Sequence, residues 1–437
     1  MALGDGIRRN IASVGPTERG LFRDALIALN QRVFPGGRTD SIPGGVSWWF
    51  KQDEIHKATH VHGGPAFVPW HRELVHRLEQ MLRQVNPQLS LHYWDWTQDP
   101  RAIPNSHLGS GSPGSLNLFT PEFMGYGGPT PQVIGPPWLD ARFYVPTANP
   151  DRDSSGNPAD PPRGVIRSVN GSPATPAQDT AILGAGDFPA MRVLLEGIHN
   201  NMHGFVNMGG QHTSFRDPFV FLLHSNVDRL FSRWQTDPAH RERLSPSAVY
   251  GSDEAALSGT ISPWAGTTLP AVRPFAPPEN QQVLKTYQDL TVVAPPSYDT
   301  NRQAARLLVH LQDIGDVVVQ DHQFGGTRGQ SRRLEGFQID IDPAIPGLGC
   351  RYMAHLEGTG DVPWVDGGNF VGTRHERRRL EGFAIELTGT AASNYDVYYM
   401  AHLEGTGDTG FFSNGQFCGT RKESRRVEGM FVGIKPK

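Results

Sequence analysis

The 437-residue chain has only two cysteines, Cys350 and Cys418, so the 349 residues before them rely on no disulfide and suit a reducing compartment. No run of eighteen apolar residues occurs, which excludes a bilayer-spanning helix of ordinary length. The opening stretch MALGDGIRRNIASVGPTERG lacks the apolar segment that follows the charged start of a signal peptide, and the Arg8-Arg9 pair alone is not an export signal. A cytoplasmic setting is favoured, and secretion by another route stays open. Charge of one sign is missing too. A formal net charge of -4 offers no basic field, so neither nucleic acid nor a membrane is an expected partner.

What the chain does have is punctuation. Its 50 glycines and 36 prolines predict long irregular connections over a modest scaffold, and its length allows two or three domains, with two the working count. Residues 16 to 34 place Leu21, Ala25, Leu26, Leu29 and Val33 on one helical face. A second helix is expected from Pro69, with Trp70, Leu74, Leu78, Met81, Leu82 and Val85 at helical spacing. Helical spacing resumes after Asp187 and Pro189, and another helix is expected to open at Asp217-Pro218 and run to Trp234. Between them, residues 100 to 182 read as a long surface excursion, and the proline-rich tail 262–300 as chain tracking over a surface. After residue 305 the sequence repeats three times, marked by His310, His355 and His402, with glycine turns and alternating ends such as F-x-I-x-I. One small sheet per unit is expected, three of them closing around a shared core.

Histidine is concentrated in two places. HVHGGPAFVPWHRELVHRLE contains four imidazoles, and His56 stands just before it. GIHNNMH puts His199 and His203 four apart on one helical face, and His224 follows on the next helix. One H-x-x-x-H is weak evidence, but two histidine groups on helices can hold two adjacent metals within a bundle. A zinc protease would need glutamate where Asn200 stands, and a di-iron bundle would need a carboxylate set that is missing. Imidazole-only donors suit copper.

The motifs HGGPAFVPWHREL, YWDW, HNNMH and DPFVFLLHSNVDRL, in that order, resemble the tyrosinase and polyphenol oxidase family of type 3 dicopper proteins over roughly residues 5 to 300. The resemblance implies two coppers and dioxygen as co-substrate, with His56, His62 and His71 on the first metal and His199, His203 and His224 on the second. His60 is the alternative to His56 or a second-layer group, and Asp228, one turn after His224, an anchor behind the ligands. It further implies that Glu196 and Asn200 polarise a water that takes the phenol proton; an ordinary ion pair of Glu196 with Arg192 is the competing reading. Gly204 and Ser225, each after a ligand, leave little bulk and favour access for monophenols. His76 is expected in solvent or in a second layer, and His92, in place of a usual proline, to mark a loop change.

The repeats resemble, more weakly, Clostridial hydrophobic W repeats, with Asp316, Asp361 and Asp408 where a tryptophan is usual. Such a module would bind a glycan or cover the copper site with Trp364, Phe411 or Phe412. The expected fold is mainly α: a helical-bundle dicopper domain over residues 1–300, then an all-β, pseudo-threefold, lectin-like domain over 301–437. The expected activity is o-hydroxylation of monophenols and oxidation of o-diphenols to o-quinones, with small phenols as substrates and a copper-loading helper as a further partner. A catechol oxidase, an o-aminophenol oxidase and a haemocyanin-type oxygen carrier are the alternatives.

Overall fold

Amphipathic spacing becomes helix in the first of two units, which comprises Met1–Gln235 and Glu242–Val293. The computed structural model describes residues 3–4, 6–35, 38–39, 42–43, 46–59, 61–108, 113–138, 165–208, 214–237, 240–264, 285–300, 305–320, 324–341 and 347–436. Helix α1 (Pro16–Gln31) opens on a proline, whose missing N–H would have no partner in a first turn. It buries Phe22, Ala25, Leu26 and Leu29, whereas Val33 lies past the last turn and is 48% exposed, against expectation. Helix α2 (Trp48–Thr59) follows, then α3 (Phe67–Val85), which begins two residues before the expected Pro69. After α4 (Pro176–Leu183), α5 (Phe188–Phe205) is capped by Asp187, which accepts from the Ala190 amide at 2.9 Å. Helix α6 (Val220–Gln235) starts later than the expected Asp217. That carboxylate is occupied by the fork of buried Arg167, at 2.6 and 2.8 Å, and by the Phe219 amide at 2.8 Å. A short α7 (Leu290–Val293) ends the unit.

Two stretches expected at the surface contribute to the core instead. Ile103, Leu118, Met124 and Trp138 from the segment 100–182 are buried, as are Trp264, Val292 and Val293 from the tail 262–300. Irregular backbone can still carry buried side chains, and Gly and Pro content reports only the irregularity. Residues 109–112, 139–164 and 265–284 lie outside the described residues.

A buried charge network fastens α3 to α6. Arg8, 1% exposed, donates to Glu79 and to Asp228, each at 2.8 Å. Arg72 donates to the other Asp228 oxygen, to Gln235 at 2.6 Å and to the Val293 carbonyl at 3.0 Å. Two guanidinium groups thus meet two carboxylates out of water. Burial alone would raise the Glu79 carboxyl; Arg8 and Arg83 outweigh it and hold it well below the usual range.

The second unit comprises Thr236–Arg241 and Ala294–Lys437, and among its described residues from 305 on the regular elements are β-strands apart from a 3-10 turn at Ala392–Asn394. "Mainly α" therefore describes the first unit only, and the expected boundary at residue 300 falls inside the second. Each repeat forms one long antiparallel pair: Ala305–Leu311 with Leu334–Ile341, Gly349–Leu356 with Leu380–Thr388, and Tyr395–Leu403 with Val427–Pro436. Each pair also takes an edge strand from another repeat. Val371–Gly372 joins the first, Cys418–Gly419 the second and Phe324–Gly326 the third, so repeats lend edges in cyclic order. At the crossings Gly336, Gly382 and Gly429 lie under Phe370, Phe417 and Phe324, where a Cβ would come within 2.5 Å of the ring. Phe337, Tyr352, Phe383 and Tyr399 meet in the shared core, and Cys350 and Cys418 are buried and free.

Replacing Arg8 by methionine leaves buried Glu79 with Arg83 at 3.5 Å and the Leu91 amide at 2.8 Å, and Asp228 half-paired. The expected loss is about 3–5 kcal/mol of unfolding free energy in urea. A loss under about 1 kcal/mol would mean the network is not holding the helices.

Candidate metal centre

Four helices and one loop deliver six imidazoles to one place. His56 comes from the last turn of α2, His62 from the following loop, His71 from α3, His199 and His203 from α5, and His224 from α6. They fall into two groups, His56–His62–His71 and His199–His203–His224, each with ligand atoms within 4.8 Å of one another. Within the first, ring centroids lie 5.1 to 5.5 Å apart. His71 and His224 stack across the groups at 4.6 Å, so the two triads adjoin.

The second group is drawn tightest. The Nε2 atoms of His199, His203 and His224 stand 2.9, 3.3 and 3.4 Å apart. Neutral ring nitrogens that close need a proton or a cation between them. The other ring nitrogens are held from behind. His71 Nδ1 donates to the Phe67 carbonyl at 2.7 Å, and His199 Nδ1 donates to Asn200 Oδ1 at 3.0 Å. That fixes the tautomer and turns the Nε2 lone pair inward. Among the described residues nothing else reaches His71 Nε2, although the atom is buried.

The surroundings keep these rings neutral. Burial, then His56 and His62, holds His71 well below the ordinary imidazole range. Burial, then His203 and His71, does the same for His199, and burial, then His71 and His199, for His224. Burial and His62 bring His203 down to about 4. Phe215 lies 4.2 Å from the His56 ring and 4.8 Å from His224, and Phe67 lies 4.7 Å from His71 and 4.9 Å from His199. These two phenylalanines dry the centre. No periodicity flagged them, although Phe67 lies inside PAFVPWH and Phe215 stands two residues before Asp217-Pro218.

Gly63 and Glu196 lock the halves together. The Gly63 amide donates to Glu196 Oε1 at 2.6 Å, tying the loop of His62 to the helix of His199. Gly63 has φ of +72°, where a side chain is disfavoured. Burial raises the Glu196 carboxyl, against the Gly63 amide and Arg192. The competing ion pair is not formed, because Arg192 pairs with Asp253 at 2.6 Å. Asn200 is exposed, with its Oδ1 on His199.

Several other expectations change in detail. Asp228 sits behind the ligands on Arg72, the residue after His71, and on Arg8. Ser225 is fully buried with its hydroxyl 3.3 Å from the Leu91 carbonyl, so it does not border an opening, whereas Gly204 is exposed. His76 is not in solvent: it is half-buried beside Gln80 at 2.9 Å, and burial brings it down to about 4. His92, in irregular backbone, is fully buried with Nε2 3.1 Å from Glu18. His60 lies outside the described residues. Trp364 and Phe411, in the second unit, are 40% and 36% exposed, and Phe412 is partly buried.

The fit to metal is therefore chemical as well as spatial: six neutral nitrogen donors in two adjoining triads, with no carboxylate or thiolate in either. That donor set defines a dinuclear copper protein of the type 3 class. Residues 46–237 match the common central domain of tyrosinase, and residues 310–343 and 355–389 match Clostridial hydrophobic W repeats. The tyrosinase of Streptomyces antibioticus is 28% identical over 293 residues, 61% of this chain and 95% of that protein. The hemocyanin 2-c chain of Megathura crenulata is 28% identical over 254 residues, 54% of each chain. A solved polyphenol oxidase from Thermothelomyces thermophila is 23% identical, covering 55% of this chain and 74% of its own, with a TM-score of 0.44.

Two outcomes follow. His224→Ala should lower bound copper from two per chain to about one by elemental analysis, because each triad holds its own ion; unchanged content would dissolve the second triad. In the metal-free protein, His203 titrates at about 4 against an ordinary 6.5. The unfolded chain therefore takes the proton first, and stability is lost as pH falls from about 6.5 through 4. Melting temperature should fall across that window, and a flat profile would contradict the buried neutral imidazoles.

Proposed function

We propose that the chain is a copper-dependent phenol oxidase that o-hydroxylates monophenols and oxidises o-diphenols to o-quinones with dioxygen. A bound copper pair supplies two-electron exchange with dioxygen. The observation that carries the reading is Glu196, a buried carboxylate of raised proton affinity on the helix of His199 and His203 and bonded to the loop of His62. A phenol has a pKa of about 10 and must lose its proton to bind as phenolate, so a nearby carboxylate with raised affinity is the better acceptor. A diphenol ionises more readily and depends on that acceptor less. Phe67 and Phe215 keep water from the rings while the His71 and His199 tautomers hold their lone pairs in place.

Exposed Gly204, following His203, supports access for a ring substrate. The cyclic exchange of edge strands in the second unit supports a pseudo-threefold, lectin-like module appended to the oxidase.

Glu196→Gln keeps an oxygen for the Gly63 amide and removes the base. We expect kcat/KM for tyramine to fall at least about tenfold and that for catechol to change less than about threefold. Equal losses on both substrates would make Glu196 a positioning group only. A wild type that turns over catechol but not tyramine would replace the reading with a catechol oxidase.

A further inference from the structure

The three junctions between repeats in the second unit share one arrangement. His310, His355 and His402 approach Asp316, Asp361 and Asp408 through Nδ1 at 2.6, 2.5 and 2.6 Å. Each aspartate also takes an arginine from another repeat: Arg374 at 3.1 Å, Arg421 at 3.0 Å and Arg328 at 3.0 Å. Each of those arginines lies over a phenylalanine of its own repeat at 3.4 to 3.6 Å. An arrangement present three times is what holds the repeats together.

The first junction departs from the other two, and they serve as its internal controls. Asp313 stands where they have Gly358 and Gly405, and Arg377 where the other repeats have Ser331 and Ser424. His375 replaces Gly329 and Lys422, and Gln312 replaces Glu357 and Glu404. Asp313, His375 and Arg377 all have φ of +61°, and their counterparts share that backbone, with Ser331 at +54°, Lys422 at +63°, Ser424 at +56°, Gly358 at +70° and Gly405 at +74°, so the junctions differ in side chain and not in turn geometry. Here the three side chains border a pocket of about 440 Å³ in which Leu311 is the only apolar residue.

The pocket's own ion pairs leave two charges uncommitted or nearly so. Glu335, 2% exposed, is taken by Arg333 at 2.9 Å and by the Arg377 amide at 3.3 Å. Arg333 also donates to Gln312 at 2.8 Å. Among the described residues the Arg377 guanidinium has no ion-pair partner, and Asp313 has only Arg332 at 3.8 Å. His375 stands edge-on to His310 at 4.7 Å. A polar wall excludes an aromatic or aliphatic ligand. A free guanidinium fork matches a carboxylate, and a carboxylate acceptor beside it matches hydroxyl groups.

We propose that the first junction binds a hydroxylated carboxylate of monosaccharide size, a uronic acid, with its carboxylate on Arg377 and hydroxyls on Asp313. The proposal is independent of the copper centre. It is tested by calorimetric titration of the full chain with D-galacturonate, with galactose and with inorganic phosphate. Arg377→Ser and Asp313→Gly install residues that other repeats already carry at those turns, so the sheet is kept. The expected result is saturable millimolar binding of galacturonate, weakened at least about tenfold by each variant, with galactose and phosphate both weaker than galacturonate in the wild type. Absence of saturable binding, or either variant binding as the wild type does, would overturn it. Galactose or phosphate binding as tightly as galacturonate would overturn it too, the first by removing the anion's role and the second by reducing the site to a bare oxyanion pocket.

Discussion

Three imidazole nitrogens within 3.4 Å of one another, buried and neutral, repel unless something positive lies between them. The first unit meets that condition in the second triad and sets beside it a first triad whose ligand nitrogens lie within 4.8 Å of one another. Backbone and amide acceptors behind His71 and His199 set the tautomers, and phenylalanines exclude the water that would otherwise solvate the rings. A protein that disfavours protonated histidine this strongly has left a metal as the cation. Copper is the ion that an all-nitrogen set accommodates in both of its common oxidation states.

Holding four ligand-bearing helices and one loop in register needs anchors outside the triads. The Arg8, Arg72, Glu79 and Asp228 network supplies one, directly behind His71 and one turn from His224. The Gly63 amide on Glu196 supplies the other, at the face where the two triads meet. The second bond places a carboxylate near the metals for a structural reason, and the same burial makes it a better proton acceptor. Structure and proposed chemistry therefore share one side chain, which is why a glutamine that preserves the bond separates the two roles.

Much of this was legible in the sequence. H-x-x-x-H at 199 and 203 dictates a shared helical face, and the spacing of His62 and His71 around PAFVPWH resembles a known ligand pair. The 45- and 47-residue intervals of the repeat histidines announced three similar sheets. What periodicity could not show were contacts between distant segments. Arg8 reads as half of a basic pair near the start of the chain, and only folding reveals its partners 71 and 220 residues away. Ser225 reads as a small residue beside a ligand, yet successive helical positions point about 100° apart, and it faces Leu91 in the core. Glycine and proline marked irregular backbone over 100–182 correctly and said nothing of the large side chains it buries.

The central claim is that the paired triads make an oxidase. The most direct measurement is dioxygen uptake by the copper-loaded full chain in the presence of catechol, with o-quinone followed by absorbance in the same cell. The expected stoichiometry is one dioxygen taken up for about two quinones formed, since each diphenol gives up two electrons and dioxygen accepts four. Two coppers bound per chain, with dioxygen taken up reversibly and catechol left unoxidised, would contradict it and make the centre an oxygen carrier.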